Sequence, residues 1–142
     1  MAEAPTIHVD IVSAEGELFS GPATAVFVPA AQGELGILPH HAPLLSLLKA
    51  GAVRIKTPDG QEHFFFVGGG ALEVQPYKVI VLADTALRAK DIDEAAAVAA
   101  RQRAEEALRD RPGHMTQAEA LAEVARAVAQ LKVLEHLRNS RG

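Results

Sequence analysis

Hydrophobic periodicity changes near residue 88, and no fold built from one kind of element accommodates both sides of the change. Upstream, apolar and polar residues alternate. Ile7, Val9 and Ile11 oppose His8 and Asp10, Val53 and Ile55 oppose Arg54 and Lys56, and the pairs Val26/Val28, Phe64/Phe66, Leu72/Val74 and Val79/Val81 repeat the pattern. Period two marks strands with one buried face, and many short strands separated by turns predict an antiparallel β-sandwich. Downstream, Leu121, Val124, Val128, Leu131 and Leu134 recur at helical spacing, as the apolar stripe of an amphipathic helix does. The expected class is therefore β + α: an N-terminal antiparallel β-sandwich over residues 1–86, then a C-terminal antiparallel two-helix hairpin over residues 87–142.

Composition breaks at the same place. Residues 1–86 hold nine of the eleven glycines, seven of the eight prolines and all six aromatics, whereas thirteen alanines fall between Ala95 and Ala129. The first suits a turn-rich β unit and the second a helical one. Lys and Arg number four against nine Asp and Glu up to residue 86, and ten against nine beyond it. Neither part carries the one-sided basic surface of a nucleic-acid binder. Without cysteine there is no disulfide or thiolate metal site, which fits a reducing compartment. No apolar run approaches the ~18 residues that span a bilayer, and Met1-Ala2-Glu3-Ala4-Pro5 lacks the basic and apolar regions of a signal peptide. A cytoplasmic chain is expected.

Turn chemistry places the elements. Thr57-Pro58-Asp59-Gly60 predicts a hairpin, with Pro at the first central position and Gly where positive φ is cheap. Gln75–Lys78 and Leu48–Gly51 read as further corners. Asp91 with Glu94, and Thr116 with Glu119, have the spacing of capping boxes. They predict one helix from residue 91 to about Arg109, stopped at Asp110-Arg111-Pro112-Gly113, and a second from residue 116. Ala95, Ala99, Ala125 and Ala129 are expected to let the two axes approach closely.

Few residues suggest chemistry. Gly68-Gly69-Gly70 stands between strands, so no helix N-terminus makes it a phosphate cradle, and a bend where another backbone comes close is expected. His40 and His41 are adjacent on an extended segment and point to opposite sides, with no carboxylate at ligand spacing, which disfavours a metal. Ser20 and Ser46 lack a nucleophile elbow. Asp91, Asp93 and Glu94 are accounted for by capping and the helix dipole. No catalytic residue and no cofactor is implied. What stands out is the segment Glu34 to His41, expected as an exposed loop whose Leu35, Ile37 and Leu38 either form a contact surface or tuck under the sandwich edge.

Five blocks together carry a resemblance over nearly the whole chain: Val12-Ser13-Ala14-Glu15, Phe19-Ser20-Gly21, Gly33 to Leu45, Gly68 to Pro76 and Val81 to Ala86. In order and spacing they resemble the epsilon subunit of bacterial F-type ATP synthases. The resemblance implies a non-catalytic central-stalk subunit, peripheral on the cytoplasmic face of the inner membrane. Its sandwich would bind the gamma subunit and rest on the c-ring, with the ring-facing positions matching Glu34, Leu35, Gly36, Pro39 and His41. Its helix hairpin would either fold against the sandwich or extend into the alpha and beta subunits of the catalytic head and block ATP hydrolysis, with Arg126, Lys132, Arg138 and Arg141 as cations for that contact. Some relatives bind ATP through an Ile/Leu-Asp-x-x-Arg-Ala motif. Ile92 and Asp93 match its start, but Ala96 replaces the arginine, removing the guanidinium that would meet phosphate. The rival reading from the residues alone is a free-standing β-sandwich ligand-binding module with a helical dimerisation hairpin.

Overall fold

A computed structural model describes residues 4–110 and 116–141. Eight strands come first: β1 (Ile7–Ser13), β2 (Gly16–Ala23), β3 (Ala25–Ala30), β4 (Gly33–Ile37), β5 (Leu44–Lys56), β6 (Glu62–Gln75), β7 (Lys78–Ala83) and β8 (Ala86–Arg88). After a single 3-10 turn at Ala89–Asp91 come α1 (Glu94–Asp110) and α2 (Gln117–Arg141). Strand pairing runs β2-β1-β7-β6-β5-β3-β4, with β8 on β6, so the sheet takes in residues up to Arg88. All pairs are antiparallel except β1 with β7. That pair joins the two ends of the β unit, whose long separation in sequence lets the strands run in the same direction.

β5 and β6 are long enough to serve both layers of the sandwich. The early part of β6 pairs with β8 and its later part with β7, and the change of layer falls on the three glycines. Gly69 and Gly70 have φ of 108° and 137°, conformations that L side chains rarely adopt. A Cβ on Gly70 would also lie 2.1 Å from the Leu82 carbonyl oxygen. The expected close backbone approach is therefore present. The expected corner at Leu48–Gly51 is not: β5 runs through it in one register, Leu48↔Gly70 and Ala50↔Gly68 flanking an unpaired Lys49. Glycine serves there because a Cβ on Gly51 would strike the Pro29 ring. The hairpin at Thr57–Gly60 and the corner at Pro76–Tyr77 form as expected.

Inward side chains fill the sandwich: Ile7, Val9, Ile11, Val26, Val28, Val53, Ile55, Phe65, Val67, Leu72, Val74, Val79 and Val81. The alternate residues of β6, Phe64 and Phe66, face outward and are nonetheless buried, because with Ala89 and Ile92 they pack against Ala129, Val133 and Leu134 of α2. Burial of each large side chain here contributes on the order of 1.5–3 kcal/mol.

The helices depart from the expected stripe. Leu134 is buried as expected, but Leu121 and Val128 are exposed, and Ala97, Ala104, Ala120, Ala127, Ala129 and Val133 are the other buried positions. α2 has two covered faces, one toward α1 and one toward the sheet, and small residues win both because the axes are close. Of the alanines expected between the helices, Ala95 and Ala99 are exposed, while Ala125 and Ala129 face the sheet instead. α1 starts later than expected, since Asp93 rather than Asp91 is its cap, accepting from the Ala96 N–H at 3.0 Å. Thr116 caps α2, its hydroxyl accepting from the Glu119 N–H at 3.1 Å. The expected stop at Asp110 to Gly113 falls mostly on residues outside those described.

Candidate functional site

The segment Glu34 to His41 is half strand. Gly33–Ile37 pairs with β3, which turns Ile37 fully inward and packs Leu35 against the sandwich core. Only Leu38 among the three apolar residues is well exposed, at 61%. Glu34 is exposed near the β3–β4 turn, its Oε1 accepting from Arg54 Nη2 at 3.4 Å. Gly36 stands beside Phe27, leaving room for that ring. Pro39 and His41 follow the other end of β4, where the His40 N–H donates to the Pro76 carbonyl and His41 Nδ1 lies 2.7 Å from the Ala42 carbonyl. The fold thus sets Glu34 and Gly36 two residues apart along β4, with Pro39 and His41 beyond its far end. Arg54 and Phe27 were missed beside Glu34 by sequence reasoning, which placed Arg54 simply on the polar side of its strand. Cross-strand neighbours have no signature in one sequence.

The cations of α2 do not share one face. Arg126, Lys132 and Arg138 are spaced by six residues, which sets successive members about 120° apart around a helix. Arg126 borders the groove between α1 and α2, and Lys132 borders a groove of about 400 Å³ between α2 and the β3–β5 surface. Arg138 is ion-paired with Glu94 across the hairpin. The Arg141 side chain lies outside the described residues. His136 stacks on Phe64, the rings nearly parallel at 6.0 Å.

Of the motif remnant at the start of α1, Ile92 is buried in the apolar cluster under α2. Asp93 is occupied by the cap described above. Ala96 lines the inter-helix groove with Arg103, which reaches toward Glu123 at 3.9 Å.

One grouping was not anticipated. On β1 and β2, Ser20 donates to Asp10 Oδ1 at 2.7 Å, and His8 Nε2 lies 2.9 Å from the same oxygen and 3.2 Å from Ser20 Oγ. This is not a nucleophile relay. The serine proton points at the carboxylate, and one histidine nitrogen makes both contacts, whereas a relay needs the two ring nitrogens in different roles. Its effect is electrostatic: the Ser20 hydroxyl foremost, then His8 and Lys78, hold the Asp10 carboxyl below its ordinary range against an opposing desolvation. A carboxylate depressed in the folded state stabilises it above the unfolded value of about 3.9, and that stability is lost as pH falls through the lowered folded value. Ser20→Ala should therefore cost about 1 kcal/mol at pH 7, a deficit that shrinks once Asp10 is protonated in both proteins. Denaturant melts from pH 7 down to 2 check this, and a deficit independent of pH would assign the cost to something other than Asp10.

The remaining surface feature is apolar. Register aligns Leu47, Ala71, Leu82 and Val12 across β5, β6, β7 and β1, and at its β5 end Leu47 borders a groove shared with Ala122, Ala125 and Arg126 of α2. Leu45, Leu47 and Leu82 are 78%, 69% and 52% exposed. The signal was present in the sequence, since Leu44-Leu45-Ser46-Leu47-Leu48 is apolar on both strand faces. Among the described residues no group of three or more His, Cys, Asp or Glu is arranged to hold a metal, and no helix is long and apolar enough to cross a membrane.

Two family descriptions match the chain in sequence: "ATP synthase, Delta/Epsilon chain, beta-sandwich domain" over residues 6–89 and "ATP synthase, Delta/Epsilon chain, long alpha-helix domain" over residues 90–135. The ATP synthase epsilon chain of Nitrosococcus oceani is 60% identical, covering 98% of this chain and 99% of that one. ATP synthase epsilon chain 1 of Methylococcus capsulatus is also 60% identical, covering 97% and 99%. Among solved structures, a chain of the Euglena gracilis mitochondrial ATP synthase OSCP/F1/c-ring assembly superposes with a TM-score of 0.72 at 17% identity, covering 100% of this chain and 85% of its own. One from the Tetrahymena thermophila mitochondrial ATP synthase central stalk and c-ring gives 0.60 at 13%, covering 94% and 99%. Identities that low speak for the fold alone. Sequence identity over nearly the full length does more, and by it the chain belongs to the family of ATP synthase epsilon chains.

Proposed function

We propose that this chain is a non-catalytic subunit of the central stalk of a proton-translocating F-type ATP synthase, peripheral on the cytoplasmic face of the bacterial inner membrane. The observation that carries the reading is the 60% identity to an ATP synthase epsilon chain across 98% of the sequence. In this reading the chain divides near Ala86–Lys90. The apolar row of Leu45, Leu47 and Leu82 binds the gamma subunit, and Glu34 at the opposite layer's edge meets the c-ring. The helices form a regulatory arm. Their 17 and 25 residues give ~63 Å in line at ~1.5 Å each, a length that reaches into the alpha and beta subunits. Arg138, released from Glu94, then becomes available there with Lys132, Arg126 and Arg141. ATP has no role in the reading, since Asp93 is spent on its cap and Ala96 offers phosphate nothing.

Co-purification tests it. Leu47→Glu with Leu82→Glu should abolish recovery with gamma while leaving the melting temperature nearly unchanged, because both side chains are exposed. Glu34→Lys should keep gamma and lower the protons pumped per ATP hydrolysed in membrane vesicles. Recovery of the double variant at wild-type yield would overturn the gamma surface, and unchanged pumping would overturn the ring contact.

A further inference from the structure

The surroundings of Glu34 are built from three strands. Cross-strand register sets Gly36, Phe27 and Arg54 side by side on β4, β3 and β5. The Arg54 guanidinium carbon sits 4.4 Å from the centre of the Phe27 ring, and Lys56 Nζ is 5.8 Å from the same point. A Cβ on Gly36 would come 3.2 Å from that ring, so glycine is what lets Phe27 lie flat there. Arg54 Nε is buried without a hydrogen-bond partner among the described residues. The ring face attracts each cation, but the unpaired N–H and the mutual repulsion of the two cations work against stability. A β-branched residue at position 54 would satisfy the strand without either penalty. What the arrangement does provide is direction: an arginine fixed on an aromatic face presents its fork at one angle, and Glu34 Oε1 lies 3.4 Å from that fork.

We propose that Arg54, seated on Phe27 in the space Gly36 leaves, is a positioning residue that holds the Glu34 carboxylate in the orientation it presents to its partner. The proposal rests on the reading of Glu34 as the c-ring contact. Its physical content is preorganisation: a glutamate already restrained has less rotamer freedom to lose on docking. It also separates two residues that the family pattern lists together, since Gly36 acts here through Phe27 and not by touching the ring. Lysine at position 54 keeps the charge but not the planar fork.

Two measurements on the full chain and its complex decide it. In the isolated subunit, NMR relaxation of the Glu34 side-chain methylenes should report lower order in both Arg54→Lys and Arg54→Met. The melting temperature should hold, because either stem still covers Phe27. In the assembled complex in inverted membrane vesicles, Glu34→Gln and Arg54→Lys should each reduce protons pumped per ATP hydrolysed, by about two- to fivefold. The double variant should be no worse than Glu34→Gln alone. Unchanged Glu34 order in Arg54→Lys overturns the positioning role whatever the vesicles show. Impaired pumping in Glu34→Gln with wild-type pumping in Arg54→Lys overturns it too and leaves the ring contact standing. Lower Glu34 order with wild-type pumping in both variants overturns the ring contact instead, and with it the partner that this orientation serves.

Discussion

Complexes carrying a subunit deleted from Asp91 onward should assemble, support ATP synthesis and hydrolyse ATP about fivefold or more faster than wild type, the range set by a coupling free energy of 1 kcal/mol or above. The sandwich core is built entirely from residues before Arg88, so the proposed gamma and ring surfaces survive the deletion. The arm docks through α2, whose Ala129, Val133 and Leu134 meet Phe64 and Phe66. That packing buries Phe64, Phe66, Ile92, Val133 and Leu134, so the docked form is favoured in the free subunit, and the proposed extended form needs partners that bind it more tightly than the sheet does. Removing Thr116 to Gly142 alone should give most of the effect, because α1 packs on α2 and loses its own support with it. ATPase assays on reconstituted complexes of verified subunit content check this. A tailless complex that assembles and hydrolyses no faster than wild type would remove the inhibitory role from the arm.

Gly70→Ala should be the most damaging single substitution in the sandwich, costing several kcal/mol and so most of a domain's usual margin. Two effects combine: φ of 137° is disallowed to alanine, and its methyl would overlap the Leu82 carbonyl across the β6–β7 ladder. Relief requires parting the strands where β6 changes layer, with loss of pairs on both sides. Gly60→Ala is the control. Its φ of 85° is also positive, but nothing lies within 4 Å of the added atom, so only the local conformational penalty of about 1 kcal/mol applies. Urea unfolding of the two variants should separate them by at least 2 kcal/mol. A Gly70→Ala protein as stable as Gly60→Ala would show that the strands part at little cost.

How much of this was legible in the sequence depends on the range of the interaction. Strand alternation, the Pro58-Asp59-Gly60 turn and the Thr116 cap are local, and each was readable from residues a few positions apart. The glycine run was interpretable as a bend because its neighbours on both sides were strands. Long-range partners were not visible. Leu121 and Val128 look like a buried stripe at helical spacing, yet alanines take the buried positions once α2 is pressed between α1 and the sheet. Leu35 and Ile37 could be read either as a contact surface or as tucked under the sandwich edge, and the pairing of β4 with β3 decides for the second. Of the candidate site, Glu34 was found and its companions Arg54 and Phe27 were not, since they arrive from other strands.

Three consecutive phenylalanines in β6 divide their work between two interiors, Phe65 serving the sandwich and Phe64 and Phe66 serving the arm. An extended arm therefore leaves two phenyl rings wet on the sheet. In the free subunit it is α2 that covers them, so extension there costs the burial of both rings with nothing to offset it. The population awaiting assembly is held to the folded-back form by this cost. On the inhibitory role proposed for the arm, each new complex then begins its life with that restraint disengaged, and engagement becomes an event that follows assembly.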